Sequence, residues 1–126
     1  MAAESEFSVI LQTGPITPPD SLIRNLQTIP GTSIDARRIG LSFIGGGVGS
    51  FIKVTTTTVN IAPMSGILYR HTQRLKDKDN LVILSGARIK TAAEEVTFRD
   101  VQCQKQVPLK GKSEDEIKEI LMEESG

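Results

Sequence analysis

One cysteine and one histidine are all that this 126-residue chain holds of the residues that most often build redox, metal and nucleophilic centres. Cys103 therefore has no partner for an intramolecular disulfide. Together with His71 it cannot supply the ligand set of a structural zinc site. A chain without disulfides suits a reducing compartment, and a cytoplasmic location is the expectation. Long apolar runs are missing too: none approaches the roughly 18 residues of a membrane-crossing helix, so no membrane partner is expected. The segment Met1 to Glu6 is acidic and leads into a short apolar stretch, which is too short and wrongly flanked for a signal peptide.

Catalytic signatures are equally scarce. A serine or cysteine nucleophile needs a base within hydrogen-bond reach, and His71 would have to recruit Cys103 or a serine with no supporting motif. The carboxylate pairs Glu94-Glu95 and Asp77/Asp79 lie in charged connections, where solvated turn acids are the ordinary outcome. The glycine-rich stretch Gly45-Gly46-Gly47-Val48-Gly49 lacks the GK[ST] ending and the GxGxxG spacing of phosphate loops. It is followed by Phe51-Ile52-Lys53-Val54, a strand pattern and not the helix that a phosphate loop opens. Its expected role is a hairpin connection whose glycines supply positive φ or let another backbone come close. No enzyme, no cofactor and no metal is expected.

What is present is enough apolar sequence, 38 % of residues, to bury a core in one domain. A charge asymmetry hides under the net charge of zero. Residues 113–126 hold six acids against one base, a net −5, which leaves fourteen bases and nine acids elsewhere, a net +5. Such a body attracts phosphates or acidic proteins through its field, although lysines and arginines also serve simply to solvate a small surface. The chain divides into a β-rich globular domain, 1–112, and an acidic C-terminal helix or tail, 113–126.

Phe7 to Gln12 reads as a first strand, stopped by Gly14 and Pro15. Thr17-Pro18-Pro19-Asp20 offers a helix start, and Leu22, Ile23, Leu26 and Ile29 follow at helical spacing before Pro30-Gly31. Ile34 to Ile44 alternates imperfectly. Ser50 to Ile61 is β-branched, with threonine at every position from 55 to 58, and an exposed threonine strand is a plausible sheet edge. Pro63 is a breaker before Gly66 to Thr72, read as a strand or a poor helix. Lys76-Asp77-Lys78-Asp79 is a turn, and Leu81-Val82-Ile83-Leu84 a buried strand. Val96 and Phe98 alternate with Thr97 and Arg99, and a piece through Val107 closes the sheet. Ser113 and Glu116 fit a capping box, and Ile117, Ile120 and Leu121 give the helix after it a narrow apolar stripe.

Gly66-Ile67-Leu68-Tyr69, a basic turn, Asn80-Leu81-Val82-Ile83-Leu84 and Glu95 to Asp100 together resemble the small bent barrel of Sm-like (LSm) domains over residues 50–109. The resemblance implies a mostly β small barrel with an N-terminal and a C-terminal helix. It also implies roles for Gly66 at the strand bend, Asn80 at the third strand and Arg99 at a base or peptide. The turn here is longer than the family's, Thr72 stands in place of an acid, and Asp100 in place of a glycine. The alternative fold is an α+β ferredoxin-like sandwich, because strand, helix, strand, strand, Met64 to Leu75 and Leu81 to Leu84 follow a βαββαβ order.

Two functions follow. One is a non-enzymatic binding module associated with RNA or ribonucleoprotein, in which Arg70, Arg74, Lys76, Lys78, Arg88 and Lys90 contact phosphates. Tyr69 or His71 would stack on bases, and Asn80 and Arg99 would join through the Sm-like resemblance. The other is a protein-protein assembly or regulatory subunit that forms a homo-oligomer by strand pairing and binds no nucleic acid.

Overall fold

The computed structural model describes residues 5–14, 19–39 and 49–126. Within them the chain is mostly β with three helices and a mixed, open sheet of six strands. The first four strands and two helices run β1 (Glu6–Gly14), α1 (Asp20–Gln27), β2 (Ser33–Ile39), β3 (Ser50–Thr57), α2 (Ile61–Gln73) and β4 (Asn80–Ser85). Their order is βαββαβ. There follow β5 (Arg88–Ile89), β6 (Glu95–Val96), β7 (Val101–Gln102), β8 (Lys105–Pro108) and α3 (Glu114–Ser125). The sheet order is β6-β2-β3-β1-β4-β8, antiparallel throughout except for the short β2–β6 pairing, while β5 and β7 form a separate ribbon.

Alternation along the strands separates two cores. Phe7, Val9 and Leu11 of β1, Ile52 and Val54 of β3, and Leu81 and Ile83 of β4 face the helices. Leu22 and Leu26 of α1, Met64 and Leu68 of α2, and Ile117 and Leu121 of α3 close over them. The opposite parity, Ile10, Phe51, Val82 and Leu84, meets Val96 and is packed by Ala87, Ile89 and Val101. β4 is thus buried on both faces, which accounts for its unbroken apolar run. The small ribbon covers only part of this second face, and the uncovered part is where the candidate site lies.

Several expectations need correction. Gly66 to Thr72 is helix, not strand, so the second strand of a small barrel is absent and the sheet stays open with β6 and β8 as edges. Pro63 does not break α2, because it falls in the first turn, where backbone N–H groups have no intrahelical acceptor. Gly66 costs an isolated helix about 1 kcal/mol, but burial of Met64, Ile67 and Leu68 outweighs it. The threonine strand is no edge: β3 pairs with β1 on one side and β2 on the other. The buried Thr56 hydroxyl meets Thr32 Oγ1 at 2.8 Å and accepts from Asn60 Nδ2 at 2.8 Å. Phe98 to Asp100 is a 3-10 turn, tied by Thr97 N and Oγ1 donating to Asp100 Oδ2 at 3.0 Å each, and not a strand. Finally, β8 extends the sheet beyond β4 and does not close it.

The cap expected at Thr17, the glycines at 45 to 47 and the strand residues beyond Ile39 lie outside the described residues. Gly49 is described, and it is a close-approach position: a Cβ there would stand 2.7 Å from Ile39 Cδ1 and 3.1 Å from the Thr13 carbonyl oxygen. A strand follows it, as expected. The capping box of α3 is complete, with Glu116 N–H donating to Ser113 Oγ at 3.1 Å and Ser113 N–H to Glu116 Oε1 at 3.0 Å. Ile117 and Leu121 belong to the main core, so α3 packs on the domain that precedes it.

Candidate functional site

The partly uncovered sheet face and the β5 ribbon enclose a cleft of about 350 Å³, lined by Ser8, Ile10, Asp35, Arg37, Lys53, Ala87, Arg88 and Ile89. Strand register brings these residues together. Asp35 lies opposite Lys53 across β2 and β3, Lys53 opposite Ile10 across β3 and β1, and Ser8 opposite Thr55. Because cross-strand partners share a face, Asp35, Lys53 and Ser8 line the floor beside Ile10, with Thr55 next to Ser8. Ala87 and Ile89 form the apolar wall that seats the ribbon on the sheet.

Arg37 is the fixed cation of the cleft. Its Nη2 donates to Asp35 Oδ2 at 3.0 Å and its Nε to Oδ1 at 3.4 Å, while Nη1 donates to the Thr91 carbonyl. It therefore clamps the connection after β5 onto β2. Lys53 and Arg88, in contrast, are exposed, and their side chains make no ion pair or hydrogen bond among the described residues. Ser8 Oγ and Thr55 Oγ1 are 2.9 Å apart. One of the two O–H groups makes that bond, and the other is left to donate elsewhere. The cleft can thus present two unpaired cations, a fixed guanidinium and a hydroxyl donor around a single carboxylate.

The residues singled out from sequence fall into two groups that do not meet. Arg70, Arg74, Lys76 and Lys78 are exposed around the C-terminal end of α2 and the turn after it, with Asn80 exposed at the start of β4. Arg88 and Arg99 stand on the other layer, on β5 and in the 3-10 turn. Of that group only Arg88 lines the cleft. Tyr69 is half-buried, with its side chain packed against the main core. His71 is half-buried as well. Burial, followed by the charge of Arg74, holds its imidazole below the usual value of 6.5 against the opposing pull of Asp79.

The turn after α2 has a structural explanation of its own. Lys110 Nζ donates to the carbonyls of Lys76, Asp77 and Asp79 at 2.8, 3.2 and 3.3 Å, which pins the turn to the segment after β8. Cations at 70 and 74 also complement the negative end of the α2 dipole. Sequence reasoning missed Ser8, Asp35, Arg37 and Lys53. Alternation alone puts Asp35 and Arg37 on one face of β2 and Lys53 on one face of β3. Register is what makes those faces the same one, with Asp35 opposite Lys53.

Among the described residues no three His, Cys, Asp or Glu side chains gather as metal ligands, and no helix is long and apolar enough to cross a membrane. No family model, curated protein or solved structure matches the chain.

Proposed function

We propose that the chain is a non-enzymatic binding module, a ferredoxin-like α+β sandwich extended by β5 to β8 and α3, that holds an anionic ligand in the cleft on its sheet face. The antiparallel order β2-β3-β1-β4 with its helices on one face supports the fold. One observation carries the function: Lys53 and Arg88 line one cleft and form no ion pair among the described residues, beside an Arg37 already fixed by Asp35. Cations placed for solvation alone need no shared concavity. RNA, alone or in a ribonucleoprotein, is the polymeric anion of this reading, contacted through phosphate. Fluorescence anisotropy of labelled oligouridylate tests it. Binding should weaken steeply between 50 and 200 mM salt and weaken again in Lys53→Glu, whereas no binding at 50 mM to any anion, inorganic phosphate included, removes the reading.

A second reading, assembly through proteins or a homo-oligomer, has its own observation. Outside Arg38 and Ile39, which pair with β6, β2 has no strand on its outer side among the described residues. The Arg38 N–H points outward to Glu94 O, so the Ala36 N–H, two residues earlier, points the same way. Light scattering of the wild type and Ala36→Pro decides it: an oligomer that the proline dissociates supports strand addition, and a wild-type monomer rejects it.

A further inference from the structure

We infer that the cleft selects a phosphate monoester on a small hydroxyl-bearing molecule over an internal phosphodiester. The inference rests on the anion-binding reading and adds the ligand class. Charge is the first argument. Arg37, Lys53 and Arg88 against Asp35 leave the lining at a net +2. A monoester carries about −1.5 to −2 near pH 7, whereas a diester linkage carries a single charge. The lining therefore neutralises a terminal phosphate and is left with surplus charge by an internal one.

The hydrogen-bonding groups agree. A terminal phosphate offers three acceptor oxygens. The Lys53 ammonium and Arg88 guanidinium, unpaired among the described residues, and the Ser8 O–H, free when Thr55 donates the bond between the two hydroxyls, supply three separate donors. Asp35 is the only acceptor side chain of the lining that carries charge, and Arg37 holds it from one side. Its remaining lone pairs accept from a hydroxyl on the ligand, whereas a second phosphate there would meet a like charge.

Size and surface complete the case. About 350 Å³ stands near the small end of ligand pockets, which run from about 300 to 1,000 Å³. Phe51, the described aromatic on this side of the sheet, is fully buried beneath the ribbon. It therefore offers no ring on which the bases of a polymer could stack, the term that holds single strands on open sheets.

The test is backbone-amide chemical-shift mapping on the full chain with ribose 5-phosphate, inorganic phosphate and dimethyl phosphate. A pair of oligouridylates with a 5′-phosphate or a 5′-hydroxyl distinguishes a small molecule from an RNA end. Ribose 5-phosphate should shift amides around Ser8, Asp35, Lys53 and Arg88, with dimethyl phosphate at least tenfold weaker. Lys53→Gln and Arg88→Gln, at exposed positions, should each weaken it about tenfold. Asp35→Asn should weaken ribose 5-phosphate but bind inorganic phosphate at least as tightly as wild type. Equal affinity for dimethyl phosphate overturns the monoester assignment while leaving anion binding intact. Shifts confined to the turn between Arg74 and Asn80 overturn the site, and silence toward every anion, both oligouridylates included, overturns both this inference and the function it rests on.

Discussion

Replacing Leu121 by alanine tests whether α3 is an integral part of the fold. Its side chain is fully buried in the cluster shared by α1, α2 and the sheet, on the same face as Ile117. Truncating a leucine in such a setting costs about 2–5 kcal/mol, the lost transfer energy plus that of the cavity left behind. Helix α3 is terminal and can relax into part of that space, so about 3 kcal/mol is the working value. Against a domain stability of roughly 5–15 kcal/mol this is a large loss. At a urea m-value of about 1.5 kcal/mol/M, the unfolding midpoint followed by far-UV circular dichroism should fall by about 2 M with the slope unchanged. Met122, 54 % exposed on the next position, supplies the control, and its alanine variant should stay within about 0.5 kcal/mol of wild type. Equal, small effects of both substitutions would refute the docking of α3.

Four further outcomes follow from local geometry. Ser113→Ala removes the N-cap of α3 and should cost about 1 kcal/mol. Glu116, held below its usual 4.5 by the Ser113 N–H and then its hydroxyl, contributes stability above that pH which is lost as pH falls through the depressed folded value. The melting-temperature gap between wild type and Glu116→Gln should accordingly close on acidification. For His71, burial lowers the folded value, so the unfolded chain binds the extra proton and stability declines as pH drops below about 6.5. Melts between pH 7.5 and 5 should show this slope in wild type and lose it in His71→Gln. Lys110→Met removes the ammonium from three carbonyls of the turn between Lys76 and Asp79. It should speed hydrogen exchange at Asp79 N–H, which bonds Lys76 O, and leave core amides protected.

Much of the fold is legible in local chemistry. β1, α1, β4 and the α3 capping box announce themselves through alternation, helical spacing, continuous apolar burial and reciprocal capping, and each forms near its expected place. The βαββαβ order was available in the same reading. Its one doubtful step, Met64 to Leu75, hinged on Pro63 and Gly66, whose penalties are intrinsic, whereas the burial that overrides them is tertiary. The threonines at 55 to 57 misled for a related reason. Their β preference is local, but whether a strand is an edge depends on what pairs with it, and β2 and β1 flank this one. The candidate site was the least legible. The basic turn is conspicuous in the chain yet is tied down by Lys110, while Asp35 and Lys53 are isolated charges in sequence that only strand register makes neighbours.

The most direct test of the cleft is to titrate inorganic phosphate into the full chain and into Lys53→Glu while following backbone amides. Saturable shifts are expected at Ser8, Asp35, Lys53 and Arg88 and should vanish in the variant, with its fold retained because residue 53 is exposed. Shifts that persist unchanged in Lys53→Glu, or that centre on the turn from Arg74 to Asn80, would contradict the cleft as the site.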